Sequence, residues 1–210
     1  MDYSVVIVAA GSGSRMNLGY NKVFYKVNNQ TILDRTINCF KKDRDCKQVI
    51  VVTNKEYFNE VSAGVEVVEG GTNRQDSVYN GLKKVTQKYV MIHDGARPHL
   101  KLDLIEAIKT SLTKHDACLL MVPCKDTIKV VREGYCEETL DRNTLYQAQT
   151  PQAFKYEVIM RAFEKIDSNE VYFDDASVVE KNLGVKVAMV MGDYENIKIT
   201  TQEDITSLNG

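Results

Sequence analysis

The sequence predicts an α/β domain, a mostly parallel twisted sheet with helices on both faces and a projecting β-arm. Three observations carry that expectation. Short β-branched apolar runs recur along the chain, amphipathic stretches separate them, and the segment after Pro123 keeps neither rhythm. The runs are SVVIV (4–8), QVIVV (48–52), VEVV (65–68), YVMI (89–92) and ACLLMVP (117–123). Each is short and bounded by polar residues, as buried parallel strands are. Between them, TILDRTINCF (31–40), RQDSVYNGLKKV (74–85) and LDLIEAIKTSL (102–112) space their apolar residues for helices. In the last, Leu104, Ile105, Ile108 and Leu112 form one core-facing stripe. Such alternation implies right-handed β-α-β units.

After Pro123, residues 126–150 show two extended pieces around Glu133-Gly134 and no long helical pattern, which predicts the arm. Helices are expected again at 156–166 and 174–183, and a late strand at 185–192. With 210 residues, no internal repeat and no Pro/Gly-rich linker, the chain reads as one domain, 1–210, with an arm at about 126–150. That length supports a core that needs no disulfide or metal.

A net charge of −2 argues against a basic nucleic-acid binder. Five cysteines, Cys39, Cys46, Cys118, Cys124 and Cys136, are odd in number and have no CxxC spacing. They read as reduced thiols of a cytoplasmic protein. His93, His99 and His115 lack the spacing of zinc ligands. MDYSVVIVAAG lacks the basic start and cleavage site of a secretory signal, and no apolar run reaches the roughly 18 residues of a membrane helix.

The chemistry concentrates in loops. AAGSGSRM (9–16) follows the first strand and exposes backbone N–H groups to an anion. Its Gly11 and Gly13 fit a dinucleotide fingerprint, but Met16 takes the place of the third glycine, and no acidic residue ends a second strand at the expected distance. The GK[ST] of a P-loop is also missing. Arg15 and Lys22 add fixed positive charge, so the stretch suits a triphosphate. Taken alone, it also reads as a glycine turn with surface basic residues. GGTNRQDS (70–77) opens a helix after a strand and supplies a second side to a pocket. HDGARP (93–98) places Asp94 at the carboxyl edge of the sheet, where a hard oxygen ligand suits Mg²⁺, although a lone Asp after a strand is more often a helix cap or turn residue. His93 reads as a packed, hydrogen-bonded residue.

AAGSGSRM…NK, GGTNRQDSV, HDGARP, PCKDTIK, LDRNTLYQAQTPQAF, DDASVVE and NIKITTQED occur in this order. In that set the chain resembles the 2-C-methyl-D-erythritol 4-phosphate cytidylyltransferases from about residue 3 to about residue 206. The first motif is shared by many sugar-nucleotide transferases; the later ones together are far more specific. The resemblance implies a Rossmann-like nucleotidyltransferase domain that joins CTP to methylerythritol phosphate with Mg²⁺, for isoprenoid synthesis. It implies that Ala9, Ala10, Gly11 and Gly13 hold the nucleotide by backbone contacts. Arg15, Lys22 and Lys198 would stabilise the transition state, and Asp94 would carry the metal. Gly71, Arg74, Ser77, Ala96 and Arg97 would form the cytidine and ribose pocket, and Thr127, Arg142 and Thr150 would hold the polyol phosphate. It further implies that the arm crosses to a second copy, making a homodimer.

Several positions depart from the family pattern. Asn21 stands where Pro usually precedes the loop lysine and, with Gly19, is expected to loosen the loop. Phe173 replaces a Thr and removes a hydroxyl, Thr72 replaces an acidic residue of some members, and Gly95 replaces an Ala. The rival readings are a ribitol 5-phosphate cytidylyltransferase, which shares fold and reaction, and a non-catalytic nucleotide-binding module.

Overall fold

The computed structural model of the protein describes residues 1–11, 19–167, 169–201 and 203–208. Two predicted site residues, Gly13 and Arg15, lie outside the described residues.

The chain opens with β1 (Tyr3–Val8), then a small ladder of β2 (Lys26–Val27) and β3 (Gln30–Thr31). Helix α1 (Ile32–Lys41) starts on a capping box, in which Thr31 Oγ1 accepts from the Asp34 N–H and the Asp34 carboxylate from the Thr31 N–H. Next come β4 (Cys46–Thr53), β5 (Glu66–Glu69), α2 (Arg74–Leu82), β6 (Tyr89–Asp94), α3 (Leu102–Leu112) and β7 (Ala117–Pro123). The arm carries β8 (Lys129–Arg132) and β9 (Tyr135–Thr139). Glu133 and Gly134, both at positive φ, make the two-residue turn between them. The chain then runs through β10 (Tyr146–Lys155), α4 (Tyr156–Phe163), α5 (Asp175–Leu183) and β11 (Ala188–Met191).

Seven strands form the main sheet in the order β11-β7-β10-β6-β1-β4-β5. The ladders β5–β4, β4–β1, β1–β6 and β11–β7 are parallel, and β10 runs antiparallel to both β6 and β7. Alternate residues of each strand face opposite sides, so two cores form. Val5, Ile7, Val51 and Met91 pack with Ile37 and Phe40 of α1 and with Ile105 and Ile108 of α3. Val6, Val52, Val90 and Ile92 pack with Val78 of α2, Ile159 of α4 and Val178 of α5. The predicted stripe of α3 is buried at all four positions.

One feature of the sheet differs from expectation. Residues 146–150, assigned to the arm by their polar pattern, begin the ten-residue strand β10 at the centre of the sheet. Its sequence, YQAQTPQAFK, carries Gln, Thr and Pro, so no apolar run marks it. Pro151 is accommodated because the register slips between Ala148 and Gln152, leaving no ladder bond for it to supply. Among the described residues no helix is long and apolar enough to cross a membrane.

Candidate active site

From β1 the chain turns to β4 and β5 on one side, then returns to β6 on the other. The carboxyl ends of β1 and β6 therefore flank the switch point at which open α/β sheets bind ligands. A cavity of about 450 Å³ lies there, lined by the end of β1 with Ala9 to Gly11, by Asn21 to Val23, by the 71–77 segment, by 94–96, and by Lys198.

The first wall is held by Asn21. Its amide donates to the carbonyl of Ala9, which also accepts from Thr53 Oγ1, and its Oδ1 accepts from the Val23 N–H at 3.2 Å. The Asn21 N–H donates in turn to the Tyr57 hydroxyl, whose ring stacks on Phe24. Asn21 thus anchors the segment before Lys22 by hydrogen bonds where a proline would act through φ.

The second wall is the start of α2. Asn73 caps the helix by accepting from the Asp76 N–H at 2.8 Å. Gly71 must be glycine, because a Cβ there would lie 2.2 Å from Asp76 Cβ. Its N–H donates to Ser77 Oγ, and that hydroxyl donates to the Asn73 carbonyl, which fixes the loop against the helix. Arg74 then reaches across to α5 and forms a bidentate pair with the fully buried Asp175, at 2.9 and 2.7 Å.

Asp94, at the end of β6, sits among three cations. Lys198 Nζ lies 2.9 Å from its carboxylate, Arg97 Nε 3.5 Å and Arg74 Nη2 3.8 Å. Burial disfavours its charge, but Lys198, Arg74 and Arg97 together hold the Asp94 carboxyl well below the usual range. Asp175 behaves oppositely, since burial raises its carboxyl although Arg74 pulls the other way. Lys22, Arg74 and Lys198 line the cavity against one lining carboxylate, Asp94, so the wall carries a surplus of positive charge.

Below Asp94 runs a relay of hydrogen bonds. The Asp94 N–H donates to Thr150 Oγ1 at 3.0 Å, and Thr150 Oγ1 lies 2.9 Å from His93 Nδ1. The other ring nitrogen, Nε2, lies 3.1 Å from the Arg97 carbonyl, which can only accept. That contact assigns the proton to Nε2, so Nδ1 accepts from the Thr150 hydroxyl. Burial lowers the His93 pKa to about 4, so the imidazole is neutral and part of the framework.

Comparison with known proteins adds sequence and structural kinship to this geometry. The model of the IspD family, 2-C-methyl-D-erythritol 4-phosphate cytidylyltransferase, matches residues 3–209. The chain belongs to that family. A relative of that name from Clostridioides difficile is 45% identical over 215 residues, covering 97% of this chain and 90% of its own. One from Bacillus mycoides is 42% identical over 214 residues, covering 97% and 94%. The crystal structure of the Francisella tularensis 2-C-methyl-D-erythritol 4-phosphate cytidylyltransferase superposes with a TM-score of 0.86 at 31% identity, covering 100% of this chain and 99% of that one.

The structure brings together Ala9, Ala10, Gly11, Lys22, Gly71, Arg74, Ser77, Asp94, Ala96 and Lys198 around one cavity. Arg97 stands behind Asp94 and donates to the Asn196 carbonyl. Thr150 lies beneath Asp94 with its hydroxyl engaged in the relay. Thr127 and Arg142 are exposed near the base of the arm, where Arg142 donates to the Lys125 carbonyl. Phe173 points to solvent at 87% exposure, just ahead of the Asp174 cap of α5. Sequence reasoning missed the roles of Asp175, Gln149 and Asn196, all buried and all inside quoted motifs. A buried polar residue gives no periodic signal, and only its partners reveal it.

Proposed function

We propose that the cavity binds CTP with its triphosphate against Lys22, Lys198 and the 9–11 backbone, and that Arg15 joins them. As a member of the family, the protein transfers a cytidylyl group from CTP to 2-C-methyl-D-erythritol 4-phosphate, releasing pyrophosphate, in isoprenoid precursor biosynthesis. A phosphate oxygen of the acceptor attacks the α-phosphorus in line, the bond to the bridging oxygen breaks, and the electron pair leaves on pyrophosphate. The attacking group is already ionised, so no general base is required, consistent with a neutral, enclosed His93. Catalysis then comes from positioning and from charge that meets the crowded phosphorus. The observation that carries this reading is the convergence of Lys22, Arg74 and Lys198 on one cavity beside Asp94.

Among the described residues no three His, Cys, Asp or Glu side chains gather to hold a metal on protein groups alone. Mg²⁺ commonly uses one or two carboxylates and completes its shell with substrate phosphates and water. Asp94 therefore fits as a ligand alongside the nucleotide, where the metal would neutralise phosphate charge. Gly71, Arg74, Ser77, Ala96 and Arg97 would frame cytidine and ribose. Thr127 and Arg142 would serve the acceptor across a homodimer whose arm, with Tyr135 78% exposed, finds little cover on its own chain. The whole chain, arm included, would act as one domain in the cytoplasm.

Pyrophosphate release tests the reading. Methylerythritol phosphate with CTP and Mg²⁺ should release it, and ribitol 5-phosphate should not; the reverse result would overturn the acceptor assignment.

A further inference from the structure

Lys198 is placed by its backbone. Its side chain is 40% exposed and it follows β11 on a segment of irregular structure, so its ion pair with Asp94 does not by itself fix the chain. Two anchors do. Downstream, the Ile199 N–H donates to the Ala96 carbonyl at 2.8 Å, and Ile199 is buried with Val27 and Ile32. Upstream, two residues before the lysine, stands Asn196, completely buried.

Asn196 is tied at three points. Its Nδ2 donates to the Thr150 carbonyl at 2.9 Å and approaches Gln149 Oε1 at 3.4 Å. Its carbonyl accepts from Arg97 Nη1 at 2.6 Å, and its N–H donates to the Asp193 carbonyl at 3.0 Å. Gln149 returns a bond to the same segment, its Nε2 donating to the Asp193 carbonyl at 2.8 Å. Gly192 leaves room for that amide, since a Cβ there would lie 2.5 Å from Gln149 Oε1. The bonds therefore run from Asp94 through Thr150 to Asn196, and from Asn196 along two residues to Lys198, which closes back on Asp94.

From this circuit we infer that Asn196, assisted by Gln149, is a positioning residue for the reaction. Its amide sets the height of Lys198 over the cavity by tying the 193–198 segment to β10. An aspartate cannot replace it, for it lacks the two N–H donors, and an aliphatic residue would leave the buried Thr150 carbonyl unpaired. A shift of the lysine by about 1 Å is enough to cost on the order of 10²-fold in rate. The inference rests on Lys198 acting in the transition state.

The test is a double-mutant cycle between Asn196→Ala and Lys198→Ala, read in kcat, in KM for CTP, and by thermal unfolding. Asn196→Ala should lower kcat about 10- to 30-fold with KM for CTP within about threefold. Placed on Lys198→Ala, it should lower kcat by no more than about twofold further, because the group it positions is already gone. A full repeat of the 10- to 30-fold loss in that background would show a general structural defect and overturn the inference. Normal turnover by Lys198→Ala alone would sink the reading of Lys198 and this inference with it. Should Asn196→Ala fail to fold, Gln149→Met keeps the volume while removing the tether to Asp193. It should lower kcat about 3- to 10-fold in the parent and leave Lys198→Ala unchanged, and additivity would again refute the positioning role.

Discussion

Two buried ion clusters sit at opposite ends of the sheet, and they are near mirror images in charge. At the carboxyl ends of the strands, one carboxylate, Asp94, is surrounded by Lys198, Arg97 and Arg74. At the amino ends, one ammonium, Lys109, is surrounded by Asp43 at 3.0 Å, Asp45 at 2.8 Å and Glu106 at 2.6 Å. Burial opposes the charge of Lys109, and bonds to Asp45, Glu106 and Asp43 raise its pKa nonetheless. The lower cluster is extended by its neighbours: Met1 contributes its amino group to Asp45, and Tyr3 donates to Asp43. In the upper cluster Lys198 and Arg74 also line the cavity, within reach of an anionic ligand. The comparison teaches that a charge cluster reads as a site where its charged groups line a cavity.

The largest effect that would break the comparison is on the lower cluster. Lys109→Met should destabilise the fold by about 3–5 kcal/mol, because it leaves the buried Asp43 without its cation. Denaturant titration measures the loss, and the folded variant should retain the parent kcat. Lys198→Ala should do the opposite, lowering kcat about 10²–10³-fold while the melting temperature moves only a few degrees. Steady-state kinetics beside calorimetry reads both, and a large melting shift with intact kcat would reverse the assignment of the two ends.

Acid should separate the ends next. His93 titrates normally near 6.5 and is lowered by burial to about 4. In that window the unfolded chain takes up a proton that the native fold refuses. The stability is full above about pH 6.5 and is lost as pH falls toward 4, on the order of 3 kcal/mol for His93. Asp175, raised by burial, opposes the loss at the acid end. In the lower cluster Asp45 keeps its charge over this range, since bonds from Lys109 and the amino terminus hold its carboxyl at about 2. His93→Gln should flatten the pH dependence of unfolding between about 6.5 and 4, and an unchanged slope would remove His93 from the framework. The smallest change is Asn21→Ala, which strips the cap of the turn bearing Lys22. It should cost about 1 kcal/mol and lower kcat modestly, with no effect on the lower cluster.

Strands β1, β4, β6 and β7 and helices α1, α2 and α3 were legible because their apolar residues repeat at the period of the element. The cavity's loops were legible for a related reason, since Ala9 to Gly11 and Gly71 come just after strands and Asp94 ends one. Strand β10 was not, because Gln149, Thr150 and Gln152 are buried by hydrogen bonding and carry no apolar signal.

By itself the sequence determined the alternation of strand and helix, the placement of glycines and charges at strand ends, and the motif set that marks the family. Those are short-range properties, written in the spacing of neighbouring residues. Only the tertiary structure decided that Arg74 would meet Asp175, 101 residues away, and that Lys109 would meet Asp43, 66 residues away. It also decided that Asn196 would brace Lys198 against β10. Such pairings depend on which strands lie side by side, and the antiparallel insertion of β10 between β6 and β7 settles that order through hydrogen bonds that no local pattern encodes.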